Sequence, residues 1–303
     1  MRILVVGAGA TGGYFGGRLA QAGRDVTFQV RDGRAARLAE RGLRIRTPTG
    51  ETRLTPHTIK HPIEAYDVVL VAVKSHALDA VIRTLPRAVG DRTVIIPLLN
   101  GMRHLTALAG AFGPEHVWGG LCMIHGTLDE HGDVVQLSDL HRLVFGPLGD
   151  APDERLDTVT AALTGAGFDS RASRHILAEM WEKWVLLSTL GAATTLMRGS
   201  IGAINAAPGG PEFLRALAAE VIAVATAAGH PPRAQALSLL DATISSSEPT
   251  TSSMYRDLIA GLPVEADAIV GDLVGEAGRH GVPVPLLAAA HTGLAVYSAA
   301  RAG

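Results

Sequence analysis

Three glycines near the N-terminus have the spacing of a phosphate-binding turn. The run over residues 2–16 contains an apolar strand, a glycine-rich turn and the start of a helix, which is the context that makes the G-x-G-x-x-G pattern credible. In such a turn Gly7 permits the tight bend, Gly9 lets the backbone approach a pyrophosphate, and Gly12 lets the helix pack on the strand. The sequence therefore predicts a dinucleotide site that includes Gly7, Gly9, Ala10, Thr11 and Gly12.

A lysine far downstream has the chemistry that a carbonyl reduction requires. Lys183 lies in an apolar helical run with Trp181, Trp184 and Leu187. A reductase must deliver a proton to the carbonyl oxygen while a hydride reaches the carbon, and a fixed ammonium can do this. In such a helix the lysine either extends along apolar surface to water or points into a cleft. The second arrangement makes Lys183 a candidate general acid.

The residue that follows the second strand, Asp25–Val30, distinguishes the two nicotinamide dinucleotides. An acidic side chain at this point accepts from the ribose 2′-hydroxyl of NAD, whereas an arginine accommodates the 2′-phosphate of NADP. The residue here is Arg31, whose guanidinium can bind a phosphate through two parallel hydrogen bonds. NADP is therefore the predicted cofactor. The adjacent Asp32 leaves open a site that also accepts NAD.

Two further polar residues follow buried strands. The apolar runs Tyr66–Val73 and Thr93–Leu99 are typical of strands buried on both faces, and Lys74 and Asn100 come directly after them. Ligands of open α/β sheets bind at the carboxyl ends of the strands. We therefore expect Lys74 and Asn100 to face the nicotinamide half of the cofactor, although each is also compatible with an ordinary loop or turn.

Composition limits the classes of function. The chain has 303 residues, 47% of them hydrophobic and 18% charged, which favours two globular domains over disorder. The net charge of −2 and the lack of a basic run argue against nucleic acid as a partner. No apolar run approaches the ~20 residues that span a bilayer. A single cysteine suits a reducing, cytoplasmic location, and no spacing of ligands predicts a metal site.

The order of elements predicts an α/β protein with two domains. Strands and helices alternate in the first half, as in a doubly wound parallel sheet, and further strands are expected at 117–123, 134–137 and 143–146. From Ile176 onward the pattern is almost wholly helical. We predict a Rossmann-type dinucleotide-binding domain over residues 1–173 and an all-helical domain over residues 174–303. Helical domains of this kind often supply subunit contacts, which leaves a homodimer open.

Six signals in this order resemble the 2-dehydropantoate 2-reductase, or ketopantoate reductase, family over essentially the whole chain. They are the glycine fingerprint, Arg31, Val73-Lys74, Leu99–Met102, Trp181–Lys183, and Ser252–Asp257 followed by Glu265.

The resemblance implies that a substrate lies between a Rossmann domain and a helical domain. By that likeness Lys183 is the general acid and Glu265 is its carboxylate partner near the substrate. Ser253 contacts the substrate, while Lys74 and Asn100 flank both the nicotinamide and the reacting carbonyl. The implied reaction is the NADPH-dependent reduction of a 2-oxo acid to a 2-hydroxy acid, with ketopantoate as the leading substrate, a step of pantothenate biosynthesis.

One departure from the family pattern bears on the substrate. Family members commonly carry asparagine four and eight residues after the lysine, on the same helical face, but this chain has Leu187 and Gly191 there. A site that lacks such donors should change its substrate preference substantially. Nearby hydroxyls could substitute for the missing amides, namely those of Ser188, Thr189, Thr194 and Thr195.

Two other readings stay open at this point. One is a related lysine-dependent dehydrogenase with another substrate, such as a β-hydroxy acid dehydrogenase or an imine reductase. The other is a redox sensor that binds NADP(H) without turnover.

Overall fold

The computed structural model describes residues 1–149 and 151–302, and the chain forms two compact units. The first unit comprises residues 1–99 and 104–177, and the second comprises residues 100–103 together with the chain from residue 178 onward. These units are close to the predicted domains 1–173 and 174–303 but not identical with them. The domain boundary itself stays a prediction.

Among residues 1–149 and 151–175 the structure has ten strands and five α-helices. In chain order these elements are β1 (Arg2–Val6), α1 (Ala10–Gln21), β2 (Asp25–Gln29), α2 (Asp32–Arg41), β3 (Leu43–Thr47), β4 (Gly50–Leu54), β5 (His57–Ile59), β6 (Val68–Val71), α3 (Leu78–Ile82), β7 (Val94–Pro97), α4 (Arg103–Phe112), β8 (Trp118–Leu128), β9 (Val134–Pro147), α5 (Leu156–Leu163) and β10 (Asp169–Ala172).

Five of these strands form a parallel sheet in the order β5-β2-β1-β6-β7. Every residue of β6 and β7 is buried, as expected for parallel strands that helices cover on both faces. In this order the direction of winding reverses between β1 and β6, so the carboxyl ends of β1 and β6 lie where a Rossmann sheet binds its ligand. The predicted fold class is confirmed.

A second sheet completes the first unit, in the order β10-β9-β3-β4 with β8 paired antiparallel to β9. The two strands expected at 134–137 and 143–146 are wrong, because the structure has one continuous strand, β9, there. β8 pairs along β9 on both sides of an irregularity between Ile124 and Gly126, which keeps β9 extended through its polar middle. The sequence analysis also missed β3, β4 and β10.

The second unit is helical throughout its described residues, apart from its loops. Its helices are α6 (Ile176–Met197), α7 (Ile201–Asn205), α8 (Gly210–Ala227), α9 (Ala234–Ile244), α10 (Ser253–Ile259), α11 (Asp272–His280) and α12 (Pro285–Ala302). A single π-helical turn, Asp267–Gly271, leads directly into α11. The core of this unit includes the apolar faces of α8 and α11, with Leu217, Val221 and Leu273 fully buried. Among the described helices, none combines the length and hydropathy needed to cross a bilayer.

Candidate active site

The glycine-rich turn after β1 has a shape that only glycine permits at two of its positions. Gly7 has φ of +94°, and a Cβ there would lie 2.8 Å from the Ala72 carbonyl oxygen. A Cβ at Gly12 would lie 2.0 Å from the Gly7 carbonyl oxygen, so any side chain would push the helix off the strand. These two positions therefore fix the path of the turn and the closeness of α1 to the sheet.

Gly9 differs from these two, because its surroundings are open. A Cβ at Gly9 would meet no heavy atom of the described chain within 4 Å. Gly9 is the N-cap of α1 and supplies no side-chain cap, and the first N–H groups of a helix have no partner within it. Ala10 and Thr11 open the helix at this point. Open space in front of free N–H groups at a helix N-terminus fits the phosphates of a dinucleotide.

Arg34 braces the glycine-rich turn, and the sequence analysis missed it. Its Nε donates to the Ala8 carbonyl oxygen at 2.9 Å, and its Nη1 donates to the Gly132 carbonyl oxygen at 2.7 Å. Burial, with the nearby charge of Arg37, lowers the pKa of the Arg34 guanidinium. Arg34 thus ties the turn to the loop between β8 and β9. Its only sequence signal is its place one helical turn after Arg31.

Arg31 lies at the end of β2, where the sequence places it, as the exposed N-cap of α2. Asp32 forms an ion pair with Lys60, whose Nζ lies 2.7 Å from the Asp32 Oδ2. Lys60 follows β5, which pairs in parallel with β2, so both strands end at the same edge of the sheet. Both side chains of the pair are largely exposed. The sequence analysis missed Lys60, because the pairing of β5 with β2 was not foreseen.

Lys74 lies beyond the carboxyl end of β6 and begins a short 3₁₀ turn, Ser75–Ala77. Its side chain is exposed. It therefore shares the carboxyl edge of the sheet with the glycine-rich turn and with Arg31, since β1, β2 and β6 are parallel neighbours.

Lys183 lies in the first half of α6, and its side chain is half-buried. Within residues 1–149 and 151–302 its ammonium makes no hydrogen bond or ion pair. The residues on either side of it are both anchored. Glu182 accepts from the Arg233 backbone N–H and from its guanidinium at 2.7 Å. Burial raises the pKa of the Glu182 carboxyl, but the hydrogen bonds from Arg233 outweigh burial and leave it below its usual value.

Trp184, on the other side of Lys183, donates its indole N–H to the Ile269 carbonyl oxygen at 2.9 Å. Ser188, one helical turn later, donates to the same oxygen at 2.8 Å. Ile269 belongs to the π-helical turn, and its own N–H donates to the Glu265 carbonyl oxygen at 3.2 Å. Glu265, which is half-buried, therefore leads into a turn that is hydrogen-bonded to α6, the lysine helix that carries Lys183.

Asn100 is brought to the same turn by its neighbour Gly101. Gly101 has φ of +78°, and a Cβ there would lie 2.1 Å from the Ala268 carbonyl oxygen, so its backbone packs directly on the turn. At the end of the turn, burial raises the pKa of the Asp272 carboxyl, against the opposing charge of Arg103. The loop that carries Asn100 thus packs on the helical unit rather than on the sheet that precedes it.

Ser253 is the first residue of α10, and its side chain is exposed. The preceding Ser252 caps this helix by accepting from the Tyr255 N–H at 2.9 Å. The Ser252 hydroxyl also lies 2.8 Å from that of Thr194 on α6. Ser253 is therefore held at the start of a capped helix that is bonded to the lysine helix.

The four hydroxyls considered as replacements for the missing amides are all engaged inside the helical unit. Each is buried and donates to a backbone carbonyl: Ser188 to Ile269, Thr189 to Val185, Thr194 to Leu190, and Thr195 to Gly191. All four hydroxyls thus have a partner inside the helical unit, and three of them bond within α6 itself. At Gly191 itself, a Cβ would lie 2.8 Å from the Met254 Cε, so the terminal methyl of Met254 occupies the space beside it.

The candidate residues thus form two groups. The glycine-rich turn, Arg31 and Lys74 lie at the carboxyl edge of one parallel sheet. In the helical unit, Asn100, Lys183 and Glu265 are carried by elements that meet at the π-helical turn. Ser253 is linked to the same helix as Lys183 because the adjacent Ser252 bonds to Thr194 of α6. Their roles in binding and catalysis stay predictions. No cluster of metal-binding side chains occurs in the part of the chain that the structure describes.

Comparison with known proteins gives full-length matches. The chain is 36% identical over 304 residues to the uncharacterized oxidoreductase YkpB of Bacillus subtilis, covering 99% of this chain and 100% of that protein. It is 28% identical over 295 residues to the 2-dehydropantoate 2-reductase of Halobacterium salinarum, covering 95% of each. The crystal structure of 2-dehydropantoate 2-reductase from Geobacter metallireducens superposes with a TM-score of 0.87 at 28% identity, covering 98% of this chain and 99% of that one.

Two family models account for most of the sequence. The model for ketopantoate reductase PanE/ApbA matches residues 3–150, and the model for the C-terminal part of the same family matches residues 175–297. The first match includes the glycine-rich turn, Arg31, Lys74 and Asn100, and the second includes Lys183, Ser253 and Glu265. On the strength of these matches and of the shared fold, this chain belongs to the ketopantoate reductase family of oxidoreductases.

Proposed function

We propose that this protein reduces a 2-oxo acid to the corresponding 2-hydroxy acid with NADPH as the hydride donor. The observation that carries the proposal is the convergence of the elements bearing Asn100, Lys183 and Glu265 on one helical turn, in a chain that also carries an open dinucleotide turn. An ammonium, an amide and a carboxylate are the groups that protonation and orientation of a carbonyl require.

Each residue has a distinct task in this proposal. Lys183 donates a proton to the oxygen of the substrate carbonyl and stabilises the negative charge that develops there. Glu265 holds the lysine ammonium beside the substrate. Asn100 donates a hydrogen bond to the substrate, Lys74 provides a positive charge for its carboxylate, and Ser253 provides a hydroxyl contact. NADPH, bound along the glycine-rich turn, supplies the hydride.

The preference for NADPH over NADH is supported by the charges at the end of β2. Arg31 is exposed there, and no side chain of the described chain is recorded as bonding to its guanidinium. Asp32 would repel a 2′-phosphate, but Lys60 lies against its carboxylate and offsets that charge. With Lys60 in place, a 2′-phosphate at this edge of the sheet meets two cations, Arg31 and Lys60, and one carboxylate, that of Asp32.

Ketopantoate is the leading candidate substrate, because several relatives that match nearly the whole chain are 2-dehydropantoate 2-reductases. If ketopantoate is the substrate, the protein acts in pantothenate biosynthesis. The single cysteine supports the reducing cytoplasm as its location. The lysine helix, however, presents Leu187 and Gly191, and its hydroxyls are bonded inside the helical unit, which favours substrates whose side chain needs no hydrogen bond at that point.

Steady-state oxidation of NADPH with a panel of 2-oxo acids tests the proposal. The panel contains ketopantoate, its analogue without the hydroxyl (3,3-dimethyl-2-oxobutanoate), pyruvate and phenylglyoxylate, with a cyclic imine as a substrate of another class. Turnover of any of the four 2-oxo acids supports the proposal, and the ranking of kcat/KM identifies the side chain. Turnover of the imine alone, or NADPH binding with no turnover of any compound, would overturn it.

A further inference from the structure

The Ile269 carbonyl is an unusual acceptor, because it takes hydrogen bonds from two side chains of another helix. A π-helical turn has one residue more than an α-helical turn, which takes its carbonyls out of the ordinary ladder, and such turns are frequent at functional sites. Here the donors are Trp184 and Ser188, at 2.9 and 2.8 Å, which lie one turn apart on the same face of α6.

These two bonds fix the turn against the helix firmly. Trp184 is 2% exposed and Ser188 is fully buried, so neither donor has access to water. A buried donor without an acceptor is costly, and both would lose theirs if the turn shifted along α6. The turn therefore has one favourable register against the helix that carries Lys183.

The same turn seats two other candidate residues. Glu265 precedes it and accepts from the Ile269 N–H, and Gly101 packs its backbone on the Ala268 carbonyl with Asn100 beside it. His291 of α12 supports the far side, where its Nε2 lies 3.1 Å from the Asp267 Oδ1. A movement of the turn would thus displace the residues before and beside it together.

We infer that the π-helical turn Asp267–Gly271 is a positioning device for the reaction, and that Trp184 and Ser188 are positioning residues that hold it. Through the Ile269 carbonyl they set the distance between the lysine helix and Glu265, and they reach Asn100 through Gly101. Neither residue donates a proton to the substrate. The inference rests on the proposed function, since it concerns the same site.

The substitution Ser188→Ala tests the inference, with Thr189→Val as its matched control. Both remove a buried hydroxyl from the same helix, but Thr189 donates to the Val185 carbonyl of α6 itself and does not touch the turn. Both variants should lose thermal stability to a similar extent. Only Ser188→Ala should lower kcat, by about tenfold, since small displacements of reacting groups have effects of this size. Its KM for NADPH should stay within about twofold of wild type.

Three outcomes separate the inference from the proposed function. If Lys183→Ala is as active as wild type, the proposed function fails. If Lys183→Ala is inactive but Ser188→Ala and Thr189→Val lower kcat equally, only the inference fails. An unchanged pH profile of kcat in Ser188→Ala, with an unchanged kcat, overturns it as well.

A second measurement does not depend on activity. Hydrogen exchange of the backbone amides over residues 265–271 should be faster in Ser188→Ala than in wild type, while Thr189→Val should leave it unchanged. Equal exchange in all three proteins would show that the hydroxyl does not hold the turn, whatever substrate the enzyme takes.

Discussion

The dinucleotide turn of the first unit and the lysine site of the second are shaped by different parts of the chain, the backbone in one and side chains in the other. In the first unit the shape comes from backbone: Gly7 and Gly12 leave no room for a Cβ, and Gly9 leaves a space open. In the helical unit the shape comes from side chains, because the hydroxyl of Ser188 and the indole of Trp184 hold a carbonyl of another element. The shape of the first site therefore depends mainly on its glycines, with Arg34 as a brace, whereas the second depends on hydrogen bonds made by buried side chains.

The difference also shows in charge. At the edge of the parallel sheet the cations Arg31, Lys60 and Lys74 are accessible to water, where a phosphate can reach them but salt can screen them. In the helical unit Lys183 is half-buried between two anchored neighbours. We expect binding of the cofactor to weaken with ionic strength more than the chemical step does.

Replacement of Lys183 by alanine should give the largest effect on activity. A smaller effect would contradict the distinction between a cofactor site in the first unit and a catalytic site in the second. We expect kcat to fall by at least ~10² with little change in the affinity for NADPH, in line with the contribution of a general acid. NADPH titration by fluorescence and steady-state kinetics measure the two quantities. Arg215→Ala removes an exposed cation of the same unit and should leave both unchanged. A comparable loss of cofactor affinity in Lys183→Ala would assign the lysine to the cofactor site instead.

Replacement of Gly9 by alanine should block the cofactor without harming the fold. The new Cβ meets no atom of the described chain within 4 Å, so it fills space that we assign to the pyrophosphate. We expect affinity for NADPH to fall by about 10² at an unchanged melting temperature, since a methyl group there would displace hydrogen-bonded phosphate. Gly110→Ala, in an equally open position on α4, is the control for the substitution itself. Undiminished binding would remove the turn from the cofactor site.

Replacement of Arg31 by alanine should separate the two dinucleotides. Loss of the guanidinium should weaken NADPH by about tenfold and NADH by less than about twofold, because only NADPH has the 2′-phosphate. Lys60→Ala should act in the same direction but more weakly, and its effect should be smaller in the Asp32→Asn background, where no carboxylate needs to be offset. Arg92→Ala, an exposed arginine before β7, is the control. Equal losses for both dinucleotides would contradict the assignment of NADP.

Replacement of Asp153 by asparagine should give a smaller, pH-dependent loss of stability. Hydrogen bonds from Arg155 lower the pKa of this carboxyl, although burial opposes them, and the Trp118 indole also donates to it at 3.0 Å. A carboxyl with a lowered pKa stabilises the fold above its unfolded pKa of about 4, and this contribution disappears as the pH falls through the folded value. We expect a loss of ~1–3 kcal/mol at pH 7 that shrinks towards pH 3.

Urea denaturation between pH 7 and pH 3 measures that loss, with NADPH binding as a probe of the first unit. Asp169→Asn, whose exposed pair with Arg142 is longer at 3.5 Å, is the control and should cost little at any pH. A loss that does not vary with pH would mean that packing of the side chain, rather than its charge, is what matters.

The sequence predicts much of the first unit, where the glycine-rich turn is shaped by the backbone. The glycine spacing and the continuous apolar strands are local patterns that a single sequence displays, whereas the edge strand β5 and its pairing with β2 are not visible in it. The strand β3 was missed although Leu43 and Ile45 are buried and alternate with Arg44 and Arg46, because a run this short and this charged resembles a loop. Lys60 was missed because its ion-pair partner, Asp32, begins α2 after a different strand. The pair therefore forms only once β5 lies beside β2.

The helical half is predicted as a set of helices with Lys183 as a candidate acid, whereas Ser253 and Glu265 enter only through the family resemblance. The π-helical turn has no distinctive spacing of residues, and the bonds that Trp184 and Ser188 make with it join positions more than 80 residues apart. Gly191 stood out only as a departure from a pattern, and the structure adds that Met254 lies beside it. Long-range hydrogen bonds of this kind depend on packing, which a single sequence does not display.

The long strand β9 has a practical consequence for anyone who wishes to isolate the cofactor-binding half. Residues Arg142–Phe145, near its end, pair with β10, which the chain does not reach until residue 169. A fragment cut near residue 150 would leave that edge bare, ready to pair with another copy and aggregate. During synthesis that edge stays unpaired until some two dozen further residues have been added. A fragment that extends to the end of β10 should therefore be far easier to keep in solution than a shorter one.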